Sequence, residues 1–168
     1  MRKITIFLFL FILAVLQISI VPRLSIFNVF PNILLASILS ISIIKEDKSI
    51  IFFAFVAGLL MDFLSGLPFG INALNFVFTL WAAKFIGRNI FKTTDLFGQA
   101  SLIIFACFLY SALNIILLEV FHLFGLGLEI PSWLNLLRIG LAELILNSLL
   151  AIIILIIAKK TYGFLARF

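Results

Sequence analysis

Cysteine and histidine are all but absent from this chain of 168 residues, each occurring once, as Cys107 and His122. A single cysteine excludes an intramolecular disulfide and is expected as a small side chain in the core or facing lipid. A single histidine leaves Glu119-x-x-His122 as one copy of a spacing that di-iron helix bundles need twice, so no metal centre is expected. Without a second base or orienting group, catalytic residues and a cofactor site are not expected either. Charge is scarce as well. Charged residues make up 11% of the chain, too few to clothe a water-soluble globule of this length.

What fills the chain instead is hydrocarbon: 65% of residues are hydrophobic and the mean hydropathy is +1.36. Ile4 to Ile20 and Leu149 to Ala158 run almost unbroken, without the period-two alternation of a membrane β-barrel strand. The reading is an all-α integral membrane protein. Charges, prolines and glycines break the chain into six candidate helices, at 4–21, 31–44, 49–64, 71–88, 99–122 and 136–158, the second and third short for a span of about 20 residues. The Arg2-Lys3 start is followed by no small-residue cleavage site, so the first segment is expected to be retained. The longest polar breaks, Arg88 to Gln99 and Gly125 to Asn135, are too short for a separate soluble unit. A compact bundle of about six transmembrane helices is therefore expected to form one domain over 1–168. In the second break, Trp133 suits the headgroup layer and Pro131 a helix start.

The basic residues orient the bundle, because cytoplasmic loops retain Lys and Arg. With both termini cytoplasmic, Arg2, Lys3, Lys45, Lys48, Lys84, Arg88, Lys92, Lys159, Lys160 and Arg167 fall on the inner side, leaving Arg23 and Arg138 of the twelve bases outside. The net charge of +5 is then topological. It favours anionic membrane lipids, and the bases are too dispersed to form a nucleic-acid stripe.

Polar side chains inside the spans carry the remaining information. Gln17, Asn72, Asn75, Asn114, Glu119, Glu143 and Asn147 prefer protein to lipid and are read as an internal network, with Arg138 close enough to approach Glu143. The most informative stretch runs from Gly58 to Gly70. Gly58 and Asp62 stand one turn apart at the end of the third helix, and Gly66, Pro68 and Gly70 supply the reversal into the fourth. An acidic group at mid-bilayer depth costs roughly 2.5 to 3.5 kcal/mol on insertion scales, so Asp62 needs donors. Ser65, the backbone of the turn, Asn72 and Asn75 are the candidates.

These residues carry a family resemblance. Phe30-Pro31-Asn32-Ile33-Leu34-Leu35 at the head of the second helix, together with Gly58-Leu-Leu-Met-Asp62 through Gly70, resembles the MreD family, and the likeness spans nearly the whole chain. The family often has an acidic residue where Asn32 stands. The resemblance implies a non-enzymatic scaffold of the rod-shape (elongasome) complex in the bacterial cytoplasmic membrane. It implies binding to MreC and, through it, coupling of MreB filaments to RodA and its partner class B penicillin-binding transpeptidase. Pro31, Asn32, Gly58, Asp62, Gly66, Pro68 and Gly70 are the structural or partner-binding residues it marks.

A second reading belongs to another class. MreD-like chains are similar in size and helix number to the substrate-binding S components of energy-coupling factor transporters, which implies an S-component-like bundle and a small ligand. Against that role, Ala14 is followed four residues later by Ile18, so the Ala-x-x-x-Ala coupling face is missing from the first helix. The outer loops also offer few convergent polar groups. A flippase would need a charged central cavity, for which the spans give no signal.

Overall fold

Six α-helices form in the computed structural model, which describes residues 2–25, 29–44, 49–65, 68–90, 95–125 and 132–165. They are α1 (Arg2–Ser19), α2 (Ile33–Ile44), α3 (Ile50–Ser65), α4 (Ile71–Asn89), α5 (Leu96–Leu123) and α6 (Trp133–Leu165), with one 3-10 turn, Val21–Leu24, after α1. All six expected helices are present. The largest boundary difference is at α6, which runs on through Lys159-Lys160-Thr161, residues with no helix-breaking geometry.

Helix α2 is the shortest, at 12 residues, and it lies in the middle. Every residue from Leu34 to Ser40 is buried, as expected of a helix that is apolar all round. It packs mainly on α6, with α3, α4, α5 and α1 around the rest. Ser40 locks the central pair, its hydroxyl lying 2.9 Å from the Ala151 carbonyl of α6 and 2.7 Å from that of Ala36. Cys107 is fully buried in the same core.

The outer faces are as apolar as the core. Phe63, Phe97, Trp81 and Ile157 each leave more than half of their surface uncovered, a pattern that suits lipid and not water. By length and composition Leu96–Leu123 and Trp133–Thr161 can each cross a membrane, while Phe7–Arg23, Ile33–Ile44 and Ile50–Ser65 are shorter apolar helices. The inequality has a geometric result. Asn32, at the head of α2, meets Asn147 in the middle of α6 and Tyr110 in the middle of α5. About 20 Å of α5 and of α6, at 1.5 Å per residue, therefore extends beyond the head of α2. The two arms pack on each other there, with Gly140 against Ile115.

The tightest contact in the bundle is between α3 and α4. A β-carbon at Gly58 would stand 2.4 Å from the Ala73 Cα and 2.7 Å from the Asn72 carbonyl oxygen, both backbone atoms. No side chain fits unless the helices part. Gly58→Leu is expected to destabilise the bundle by about 3 kcal/mol, at the upper end of overpacking costs. Thermal unfolding in detergent should show the loss, and a midpoint equal to the parent's would mean that α3 and α4 can separate freely.

Candidate functional site

Two helix starts are buried in the bundle, and each takes acceptors from another helix. A helix leaves its first N–H groups without intrahelical partners. In α4 the residue before the first turn is Gly70, at φ +104°, which has no side chain to cap with. Asp62 of α3 does the capping. Its Oδ1 accepts from the Asn72 backbone N–H at 2.8 Å and from the Asn72 side-chain amide at 3.0 Å. Its Oδ2 accepts from the N–H groups of Gly70 at 3.0 Å and Ala73 at 3.1 Å. The remaining first-turn donor, Ile71 N–H, reaches the Pro68 carbonyl at 3.4 Å. A 4% exposed carboxylate is thus matched by four donors at the positive end of a helix.

Gly58 and Asp62 are one device. They occupy successive turns of the same face of α3, and the close approach that Gly58 permits brings Asp62 within reach of the first turn of α4. Pro68 and Gly70 lie in the reversal, and Gly66 lies outside the described residues. Of the donors expected for Asp62, Asn72 and the turn backbone are used, whereas Asn75 instead donates to the Tyr110 carbonyl at 3.1 Å and accepts from Thr79 at 3.2 Å.

The start of α2 is built from three directions. Asn32 is its N-cap, Oδ1 accepting from Leu35 N–H at 2.9 Å, and its own N–H donates to Asn147 Oδ1 at 2.6 Å. Its amide also donates to the Tyr110 hydroxyl at 3.2 Å. Gln17, from the end of α1, accepts from Ile33 N–H at 2.7 Å and donates to the Pro31 carbonyl at 3.0 Å. Pro31 itself offers no N–H to satisfy.

Glu143 lies one turn from Asn147 on α6, and it is Asn114 of α5 that reaches its carboxylate, at 3.4 and 3.5 Å. Arg138 is exposed. Tyr110 was not among the sequence candidates, although a phenol in mid-span must find a partner for its hydroxyl. It touches both polar groups, through Asn32 and Asn75, and its ring packs edge-on against Phe76 with centroids 6.0 Å apart.

Compared with known protein families, the chain matches MreD, the rod shape-determining protein MreD, over residues 1–165. The chain belongs to the MreD family. No curated protein and no solved structure matches it. MreD proteins are multi-pass membrane proteins that determine cell shape without enzymatic activity, and the residues that carried the resemblance are those at the two capped helix starts.

Removing the acceptor should cost more than removing a contact. Asp62→Ala strands three backbone donors and is expected to cost roughly 3 kcal/mol, with membrane insertion unaffected. Asn147→Ala strands one and should cost about 1 kcal/mol. Unfolding of the purified variants by denaturing detergent measures both, and equal losses would contradict the capping assignment.

Proposed function

We propose that this chain is a non-enzymatic scaffold of the bacterial cytoplasmic membrane that binds MreC. Through MreC it helps couple MreB filaments to RodA and a class B penicillin-binding transpeptidase during peptidoglycan elongation. The family match over residues 1–165 carries the reading. The use to which the polar groups are put supports it. Gln17, Asn32, Asp62, Asn72 and Asn147 spend their hydrogen bonds on helix starts, as expected of a subunit built to hold shape. A ligand site needs polar groups converging on a shared opening. The buried Ala14 is followed four residues later by Ile18, so α1 lacks the small-residue coupling face of an S component.

In this reading the chain is one domain with an S-component-like arrangement and both termini in the cytoplasm. Lys84 and Arg88, at the far end of α4 from Asp62, are then cytoplasmic, and the Asp62 hairpin faces outward. Pro31, Asn32, Gly58, Asp62, Gly66, Pro68 and Gly70 fix the outward surface, and side chains beside them meet the partner. Phe63 and Phe69 are the best placed, an edge-to-face pair 4.9 Å apart on either side of the reversal. They are 74% and 57% exposed.

Affinity purification from native membranes tests the proposal. MreC, RodA and the transpeptidase should co-elute, whereas an ATPase module with a bound metabolite would replace the scaffold by the transporter subunit. Phe63→Ser with Phe69→Ser is expected to lower MreC recovery about tenfold, the scale of a modest hot spot, at an unchanged unfolding midpoint. Full recovery would remove this pair from the interface.

A further inference from the structure

At the end of the bundle opposite Asp62, where α3 begins and α4 ends, an open cavity of about 430 Å³ is lined by Ile51, Trp81, Lys84, Phe85, Arg88 and Asn89. Its wall is one stripe of α4. Trp81, Lys84, Phe85 and Arg88 follow at spacings of three and four, so their side chains share a face. Trp81 and Phe85 stack with centroids 5.9 Å apart and planes inclined by 13°, and both are more than half exposed. Arg88 is exposed in the last turn.

The order along the stripe is informative. The aromatic pair begins nearer the middle of the bundle, and the guanidinium sits at its end. Cations alone would be explained by the negative end of α4, which they stabilise. The exposed aromatic pair, like the other apolar side chains on the outer faces, belongs in hydrocarbon, while the guanidinium belongs in water. The cavity thus straddles the boundary between the two media, and its occupant must change from charged to apolar over the same distance. Asn89 frames the polar end, its amide held by the Phe85 carbonyl at 2.8 Å.

We propose that this cavity binds an anionic phospholipid, with the phosphodiester on Lys84 and Arg88 and the glycerol and first acyl carbons against Trp81, Phe85 and Ile51. The volume lies within the range of small-molecule sites and accommodates a headgroup, not a whole lipid, which leaves the acyl chains in the bilayer. Basic pockets at the membrane surface recognise such headgroups by charge. The orientation proposed above enters only in naming the leaflet, which is then the cytoplasmic one.

The chain has two tryptophans, Trp81 and Trp133, so Trp133→Phe leaves Trp81 as the sole reporter. The full-length Trp133→Phe protein, reconstituted in vesicles, is titrated with brominated phosphatidylglycerol or brominated phosphatidylcholine, whose bromines quench a tryptophan on contact. Phosphatidylglycerol is expected to quench Trp81 at a mole fraction at least about fivefold lower, and each of Lys84→Gln and Arg88→Gln to reduce that preference about fivefold or to parity. Millimolar inorganic phosphate should leave it unchanged. Equal quenching by the two lipids in the Trp133→Phe protein overturns the proposal whatever the variants do. A preference that survives Lys84→Gln combined with Arg88→Gln overturns it as well, and one abolished by inorganic phosphate assigns the cavity to a soluble anion instead. None of these readouts depends on MreC recovery, so the lipid site and the scaffold stand or fall separately.

Discussion

A backbone N–H that opens a helix inside a bilayer has no water to turn to, and the rest of this bundle is arranged around meeting that demand twice. Asp62 supplies the first turn of α4, and Gln17, Asn32 and Asn147 supply that of α2. Asn32 caps its own helix, whereas Asp62, Gln17 and Asn147 reach across from other helices, so these three fix position as well as satisfying donors. Asp62 sets how far α4 rises against α3; Asn147 sets where the short α2 starts along the long α6. Tyr110 then ties the two together through its hydroxyl and its carbonyl. In hydrocarbon, where apolar packing discriminates weakly between neighbouring registers, directional bonds of this kind decide which one is adopted.

Gly58 shows why the carboxylate alone is not enough. Four donors around one side chain require the two helix backbones to approach more closely than any β-carbon allows. The missing side chain and the charged one are therefore a single requirement expressed at two positions one turn apart. A carboxylate in a span usually invites a transport or catalytic explanation. Here its oxygens are occupied by a helix start, and the cost of burying it is offset by groups that would themselves be costly to leave bare.

Much of this was legible in the residue order. Continuous apolar runs broken by charge and proline located all six helices, since length and hydropathy are local properties. The Gly58 to Gly70 stretch announced itself because both a buried acid and a glycine–proline reversal are unusual in such a setting. Partner choice was less accessible. Nothing local distinguishes Asn72 from Asn75 as a donor to Asp62, and the selection depends on which of them falls in the first turn of α4. The central position of α2 was equally hidden, because an apolar helix facing protein and one facing lipid have the same composition. Tyr110 escaped notice for a related reason: its role arises from helices remote in the chain.

The unequal helices have a consequence for the surrounding membrane. One flank of the molecule is walled by α5 and α6, at 28 and 33 residues, and another by α3, at 16. The helices on the two flanks thus differ by at least twelve residues within the width of one small protein. Mismatch costs fractions of a kcal/mol per Å, which the bilayer meets by thinning beside the short wall or the protein by leaning. The molecule thus offers the bilayer walls of unequal helix length.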